Sequence, residues 1–155
     1  MILPFRVENC SIERTLEVVG EKWTFLVLRE AFRGVRRFAD MQAATGAPRQ
    51  VLSARLARLV EEGLLRKEPY REPGQRQRDE YRLTDKGRDL YPLLVALMHW
   101  GDTYLADAGG PPVLLTHRDC GAAIELHLRC EEGHDVEGPR QVTALPGPGT
   151  RLRTA

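Results

Sequence analysis

The sequence predicts a mainly α-helical fold that carries one β-hairpin and a small C-terminal β element. Apolar residues recur at helical spacing in several stretches between residues 12 and 105. Two short runs with strand character, 64–70 and 80–83, flank a segment rich in Pro, Gly and polar residues. Beyond a Gly-Gly-Pro-Pro break, residues 124–130 alternate between apolar and polar side chains, as in a half-buried strand.

Length and composition narrow the class of protein. A chain of 155 residues can bury one sizeable core and carry an appendage. Its 42% hydrophobic and 29% charged residues are typical of a globular protein rather than a disordered one. No apolar run approaches the roughly 20 residues that span a bilayer, and the first residues lack the order of a signal peptide. We therefore expect a cytoplasmic protein with no membrane partner.

Helical periodicity predicts four helices ahead of the hairpin and one after it. The first four are expected at about 12–19, 22–32, 38–45 and 48–62. Gly20 and Gly34 follow the first two helices, where glycine commonly ends a helix. After the hairpin, Thr84 is a good N-cap for one long helix that runs to about Asp107.

The third and fourth helices are joined by a tight turn at 45–47, and Pro48 suits the first position of the fourth helix. Projected at about 100° per residue, the fourth helix has one apolar stripe, which predicts a buried face and an exposed face. The stripe consists of Leu52, Leu56 and Leu59. The exposed face carries Gln50, Ser53, Ala54, Ala57, Arg58 and Glu61.

Charge is unevenly distributed along the chain. Residues 33–58 contain six arginines and a single acid, whereas 125–137 contain five acids and a single arginine. The hairpin tip, 72–78, adds two further arginines. A basic centre with an acidic tail predicts a polyanion partner for the centre only.

Helix, tight turn, helix and basic hairpin follow one another in the order of a winged helix-turn-helix, whose second helix enters the major groove of DNA. Arg49 and Gln50 lie at the start of that helix and are long enough to read bases, while Ser53 and Ala54 are small enough to allow close approach. The side chains expected to contact phosphates are Arg36, Arg37, Arg55, Arg58, Arg76 and Arg78. A solvated surface helix also carries arginines opposite an apolar stripe. The ordered co-occurrence of all these parts favours double-stranded DNA binding.

This organisation predicts three parts. They are a winged helix-turn-helix DNA-binding and dimerisation domain at 1–108, a small β appendage at 109–145 and a flexible tail at 146–155. The long helix after the hairpin has more apolar surface than one domain needs, which predicts a homodimer built on it and on the first helix. Its apolar residues are Leu90, Leu93, Leu94, Leu97, Met98, Trp100, Tyr104 and Leu105.

Several motifs resemble the HxlR-type transcriptional regulators, winged-helix proteins of MarR-like architecture. They are Cys10, EVVGEKWT at 17–24, RRFADM at 36–41, VLSARL at 51–56, EGLL at 62–65 and EYRLTDKG at 80–87. The resemblance implies a homodimeric regulator, expected to repress, that presents two recognition helices to a pseudo-palindromic operator. It also implies that Ser53 and Arg55 lie in the DNA-facing helix. No motif specifies a small-molecule effector.

Cys10 lies where such regulators commonly carry a cysteine, just before the first helix. The resemblance allows a redox or electrophile sensor at this position, which would need an accessible thiolate at the helix N-terminus. The sequence favours the simpler interpretation, a small apolar side chain at the dimer interface.

Four residues of the appendage are potential zinc ligands: His117, Cys120, Cys130 and His134. Tetrahedral zinc accepts two sulfurs and two nitrogens. Gly133, however, stands where the second cysteine of a Cys-x-x-Cys knuckle would be, and a disulfide is disfavoured in the cytoplasm. The sequence favours packing of reduced cysteines, so no cofactor is required, and zinc is the alternative.

Two other functional classes fit the sequence less well. An enzyme is not expected, because no catalytic acid/base pair, phosphate loop or nucleophile motif accompanies these cysteines and histidines. A winged helix used only for protein contacts would show no salt-dependent affinity for DNA.

Overall fold

The computed structural model describes residues 8–151. In that range the elements are α1 (Ser11–Val19), α2 (Lys22–Phe32), α3 (Phe38–Thr45), α4 (Arg49–Glu61), β1 (Leu65–Tyr70), β2 (Arg78–Leu83), α5 (Asp85–Arg88), α6 (Tyr91–Tyr104) and a 3₁₀ helix at Pro139–Gln141. The chain divides into two units, 12–94 and a unit of 8–11 with 95–151. The predicted boundaries at 108 and 145 remain predictions, and what was predicted for 1–7 and 152–155 lies outside the described residues.

The core of the first unit forms around α2, which packs against both α3 and α4. The predicted leucine stripe of α4 is confirmed, because Leu52, Leu56 and Leu59 are almost completely buried. The other buried apolar residues are Val19, Val27, Leu28, Met41, Ala47, Leu64 and Leu65. Removing one such leucine side chain typically costs about 2–5 kcal/mol, so this cluster fixes the orientation of α4.

The turn between α3 and α4 is built from a threonine and a glycine. Gly46 has a φ of 68°, a left-handed conformation that favours glycine. The Thr45 hydroxyl donates to the Met41 carbonyl at 2.7 Å and accepts from the Ala47 amide at 3.3 Å. Pro48 occupies the N-cap position, so α4 begins one residue later than predicted. The turn therefore sets the angle at which α4 leaves α3.

Strands β1 and β2 form the predicted hairpin, which is an antiparallel pair in register from Leu65 opposite Leu83 to Tyr70 opposite Arg78. An additional bridge pairs Arg37 with Glu80. The hairpin, hereafter the wing, is thereby tied to the segment that precedes α3. The mainly α fold with a wing, the winged helix-turn-helix, is confirmed.

The prediction of a single long helix after the wing is wrong. The chain instead forms two helices, α5 and α6, with a break at 89–90. The Thr84 cap is confirmed, since its side chain accepts from the Gly87 amide. Pro92 explains the break: proline has no amide proton and disfavours helical geometry at the preceding residue, so it is tolerated only in a first helical turn. The break places Pro92 in the first turn of α6, which ends at Tyr104 rather than near Asp107.

The strand predicted at 124–130 does not form. The appendage instead has two isolated antiparallel bridges, Thr116 with Ala123 and Arg129 with Asp135. An alternating strand needs a core against which one face is buried, and no described residue from 109 to 151 is buried. Leu128, for example, is 66% exposed. Within the described range, no helix combines the length and the apolar character needed to cross a membrane.

Candidate nucleic-acid interface

The outer face of α4 is exposed as predicted. Gln50, Ser53, Ala54 and Ala57 are all solvent-accessible along it. Arg49 is the first residue of the helix, and its guanidinium carbon lies 5.2 Å from the centre of the Phe38 ring. The ring supports the arginine through a cation–π contact and leaves its donors free to face outward.

The loop of the wing is ordered by its own hydrogen bonds. Gly74 has a φ of 76°, the Gln75 amide donates to the Glu72 carbonyl at 3.0 Å, and Arg71 Nε donates to the Gln75 carbonyl at 3.1 Å. Arg76 lies in this loop and Arg78 is the first residue of β2, and both are exposed. The wing therefore has a shaped, basic tip.

A cleft of about 470 Å³ joins these two regions. It is lined by the start of α3, the start of α4 and the wing, and it contains both Arg49 and Arg78. The structure thus brings the predicted base-reading end of α4 together with the predicted phosphate-contacting wing.

Ion pairing separates the predicted DNA-contacting arginines into two groups. Arg37 donates to Glu72 at 2.5 Å and lies 4.5 Å from the centre of the Tyr70 ring. The hydrogen bond to Glu72 raises the pKa of Arg37 above its ordinary value. Arg58 is paired with Glu61 of the same helix at 3.1 Å and with the C-cap residue Glu62 at 2.7 Å.

Arg55 is the most enclosed of the group. Its side chain is 25% exposed and is paired with Glu21 at 2.7 Å, which links α4 to the residue before α2. Its Nε is buried, with no hydrogen-bond partner among the described residues. The contact with Glu21 gives Arg55 a structural role besides any contact with DNA.

The remaining predicted arginines form no ion pair among the described residues. Among the described residues, no carboxylate oxygen lies within 4 Å of Arg36, Arg49, Arg76 or Arg78. These four guanidinium groups can contact phosphate or bases without breaking an existing ion pair. Sequence reasoning missed Phe38 and Glu72, because their contacts join segments that are distant along the chain.

The predicted cysteine and histidine sites lie outside α4 and the wing. Cys10 is half-exposed and directly precedes α1. In the appendage, His117 faces Cys120 and His134 faces Cys130, with Nδ1 to Sγ distances of 3.4 and 3.5 Å. Among the described residues, no group of three or more His, Cys, Asp and Glu side chains is placed to share one ion.

One protein family matches the winged part of the chain, and individual known proteins match nearly all of it. Residues 18–108 match the HxlR-like helix-turn-helix family. The uncharacterized HTH-type transcriptional regulator Rv3095 of Mycobacterium tuberculosis is 47% identical over 153 residues, which cover 99% of this chain and 96% of that protein. The crystal structure of PA1607, provisionally assigned as a transcription factor, has a TM-score of 0.81 at 37% identity and covers 90% of this chain and 96% of PA1607. The redox regulator HypR in its reduced form has a TM-score of 0.55 at 27% identity, covering 61% and 92%.

The family match ends at residue 108, whereas the matches to Rv3095 and PA1607 extend into the appendage. Rv3095 is named as a transcriptional regulator and PA1607 as a transcription factor, and neither is named as an enzyme, in agreement with the prediction. With its exposed α4, its basic wing and these matches, the chain belongs to the HxlR-like helix-turn-helix family and is a transcriptional regulator with a DNA-binding winged helix-turn-helix.

Proposed function

We propose that this chain represses transcription as a homodimer bound to a pseudo-palindromic double-stranded DNA operator. The observation that carries the proposal is the outer face of α4, where small exposed side chains follow two long polar ones at the N-terminal end. A helix with this surface can lie in the major groove, with Arg49 and Gln50 at base edges and Ser53 close to the groove floor. Acting on chromosomal DNA, the protein would reside in the cytoplasm.

Phosphate contacts are assigned to the arginines that have no acidic partner. Arg36 lies beside the wing, where its carbonyl accepts from the Tyr81 amide at 2.8 Å, and Arg76 and Arg78 are at or next to the tip of the wing. Each contact of this kind adds affinity without sequence preference and makes binding weaker as salt rises. Arg37, Arg55 and Arg58 would have to leave a carboxylate first, so we expect them to contribute less.

The exposed apolar faces of two helices support the homodimer. On α6, Leu93, Leu97, Trp100 and Tyr104 recur at spacings of three and four residues and are 39–69% exposed. On α1, Ile12 and Leu16 are 71% and 55% exposed. Apolar surface on one side of a helix commonly marks an interface, and a two-fold dimer would present two copies of α4. The two half-sites would then lie about one helical turn of DNA apart.

Repression follows from occupancy, because a dimer that covers promoter DNA blocks polymerase. The test is to isolate genomic fragments that the protein binds, map the protected bases, and measure affinity against a scrambled fragment of equal length. We expect two half-sites related by a two-fold axis, two chains per operator, and affinity for the operator about 10³-fold or more above that for the scrambled fragment. Deleting the gene should raise expression from that promoter. Equal affinity for both fragments, or one chain per operator, would contradict the proposal.

A redox response through Cys10 is a second candidate. The thiol is half-exposed and directly precedes α1, and the structurally similar HypR is named a redox regulator. With hydrogen peroxide, the thiolate would attack one oxygen, the O–O bond would break, and sulfenic acid and hydroxide would form. We expect peroxide to change operator affinity of the wild type but not of Cys10→Ser. An identical peroxide response in the two proteins would exclude Cys10 as the sensor.

A further inference from the structure

We propose that the appendage is a metal-binding element in which His117, Cys120, Cys130 and His134 together bind one zinc ion. The first half of the site is a closed turn. The Gly121 amide donates to the His117 carbonyl and the His117 amide donates to the Ala122 carbonyl, both at 2.8 Å. Gly121 has a φ of 70°, which glycine adopts readily. The turn places Cys120 Sγ 3.4 Å from His117 Nδ1.

The second half is a similar turn further along the chain. The Gly133 amide donates to the Cys130 carbonyl at 2.9 Å, and the Cys130 amide donates to the His134 carbonyl at 3.1 Å. Gly133 has a φ of 82°. Cys130 Sγ lies 3.5 Å from His134 Nδ1. Each cysteine therefore faces a histidine of the same turn, with a glycine beside the cysteine in the first turn and between the two residues in the second.

The separation within each pair is that of two ligands on one zinc ion. Zn–S and Zn–N bonds of about 2.3 and 2.0–2.1 Å at a tetrahedral angle put sulfur and nitrogen about 3.5 Å apart. The two pairs supply the two sulfurs and two nitrogens of a closed structural site. They also supply the donor types that favour zinc over the harder cations.

The exposure of Cys120 and Cys130 argues against the alternative that these cysteines stabilise the appendage by packing within the described chain. Cys120 and Cys130 are both free thiols and both exposed, although the sequence predicted that Cys130 points towards an apolar layer. A segment of about 40 residues with no buried residue has little hydrophobic stabilisation, and small elements of this kind are usually held by a metal, a disulfide or a partner.

Binding of one ion requires the two turns to close on each other, because the described residues do not place three of these ligands around one point. Residues 124–128 connect the two bridged turns and form no strand, so they can adjust without disrupting a core. Zinc binding should therefore be coupled to ordering of the appendage.

The direct test is metal content and metal binding of the full chain, purified without a histidine tag. We expect one zinc ion per chain, and cobalt titration into the metal-free protein should give thiolate-to-cobalt charge-transfer bands and tetrahedral d–d bands. Cys120→Ser and Cys130→Ser should each abolish both signals. Cys10→Ser is the matched cysteine control and should retain them.

Histidine substitutions and proteolysis complete the test. His134→Gln should weaken cobalt binding at least tenfold, whereas His127→Gln, which changes a histidine outside the two pairs, should not. Removing zinc should speed proteolytic cleavage within 109–145 and leave 12–94 resistant. The proposal is overturned if the protein binds no zinc at equilibrium, or if binding survives both cysteine substitutions. Two ions per chain, each lost with one pair, would overturn the single shared site.

Discussion

Replacing Gly87 by alanine should destabilise the winged domain, because this glycine lies against the backbone of Leu64, the residue just before the wing. A Cβ built at Gly87 would lie 2.1 Å from the Leu64 carbonyl oxygen, far inside van der Waals contact. That carbonyl cannot move freely, since it accepts from the Thr84 amide at 3.1 Å and from the Thr84 hydroxyl at 3.2 Å. Thr84 also donates to the Gly63 carbonyl at 2.6 Å and caps α5.

The expected cost combines overpacking with the hydrogen bonds that must stretch to relieve it. Overpacking alone costs about 1–3 kcal/mol and each hydrogen bond about 1 kcal/mol, so Gly87→Ala should lower the free energy of unfolding by about 2–4 kcal/mol. For a domain of this size the midpoint of thermal unfolding should fall by roughly 10–20 °C. Far-UV circular dichroism during heating and urea titration measures both quantities.

Gly101→Ala is the matched control. Gly101 also lies in a helix, but a Cβ there would meet no atom within 4 Å. Alanine should therefore change stability by less than about 1 kcal/mol, and in the stabilising direction, through helix propensity. If Gly87→Ala unfolds with the same midpoint as the wild type, the contact between the start of the wing and α5 is not as tight as described.

Three further predictions concern the interface. Gln50→Ala should cost about 1–3 kcal/mol at one operator position and little elsewhere, which competition between operator variants would reveal; a uniform loss would assign Gln50 to phosphate instead. Glu72→Gln should release Arg37 from its ion pair. DNA binding at low salt, measured by fluorescence anisotropy, should then become about three- to tenfold tighter. Weaker binding would show that the ion pair holds Arg37 in the orientation that contacts DNA. Leu97→Glu should convert the dimer into a monomer in sedimentation at micromolar concentration, because Leu97 is 47% exposed on the apolar face of α6; an unchanged sedimentation coefficient would place the interface elsewhere.

The sequence predicts best the structural features that depend on residues close together along the chain. The stripe of Leu52, Leu56 and Leu59 is buried because helical periodicity alone determines which side chains share a face. The left-handed turn at Gly46 and the cap at Thr84 likewise depend on residues a few positions apart. These features were sufficient to predict the winged helix-turn-helix.

The predictions from sequence were wrong or incomplete where a proline interrupts an apolar period, or where a residue distant along the chain determines the structure. The prediction of one long helix rested on its apolar period and took no account of Pro92, which ends the regular helix before α6. The alternation at 124–130 predicts a strand only if a core exists for one face, and the appendage has none. The pairing of Arg37 with Glu72 joins residues 35 positions apart, and no periodicity specifies such a contact.

The central claim, that α4 and the wing form one DNA-binding surface, is tested most directly by the salt dependence of operator affinity. Wild type and the double variant Arg76→Ala/Arg78→Ala should be compared by anisotropy over a range of salt concentrations, with Arg118→Ala/Arg140→Ala in the appendage as the control pair. Each phosphate contact contributes a slope of about 0.9 to the plot of log affinity against log salt. We predict that the wing variant loses about two such contacts uniformly across operator sequences, whereas the control keeps the wild-type slope. An unchanged slope in the wing variant would contradict the claim.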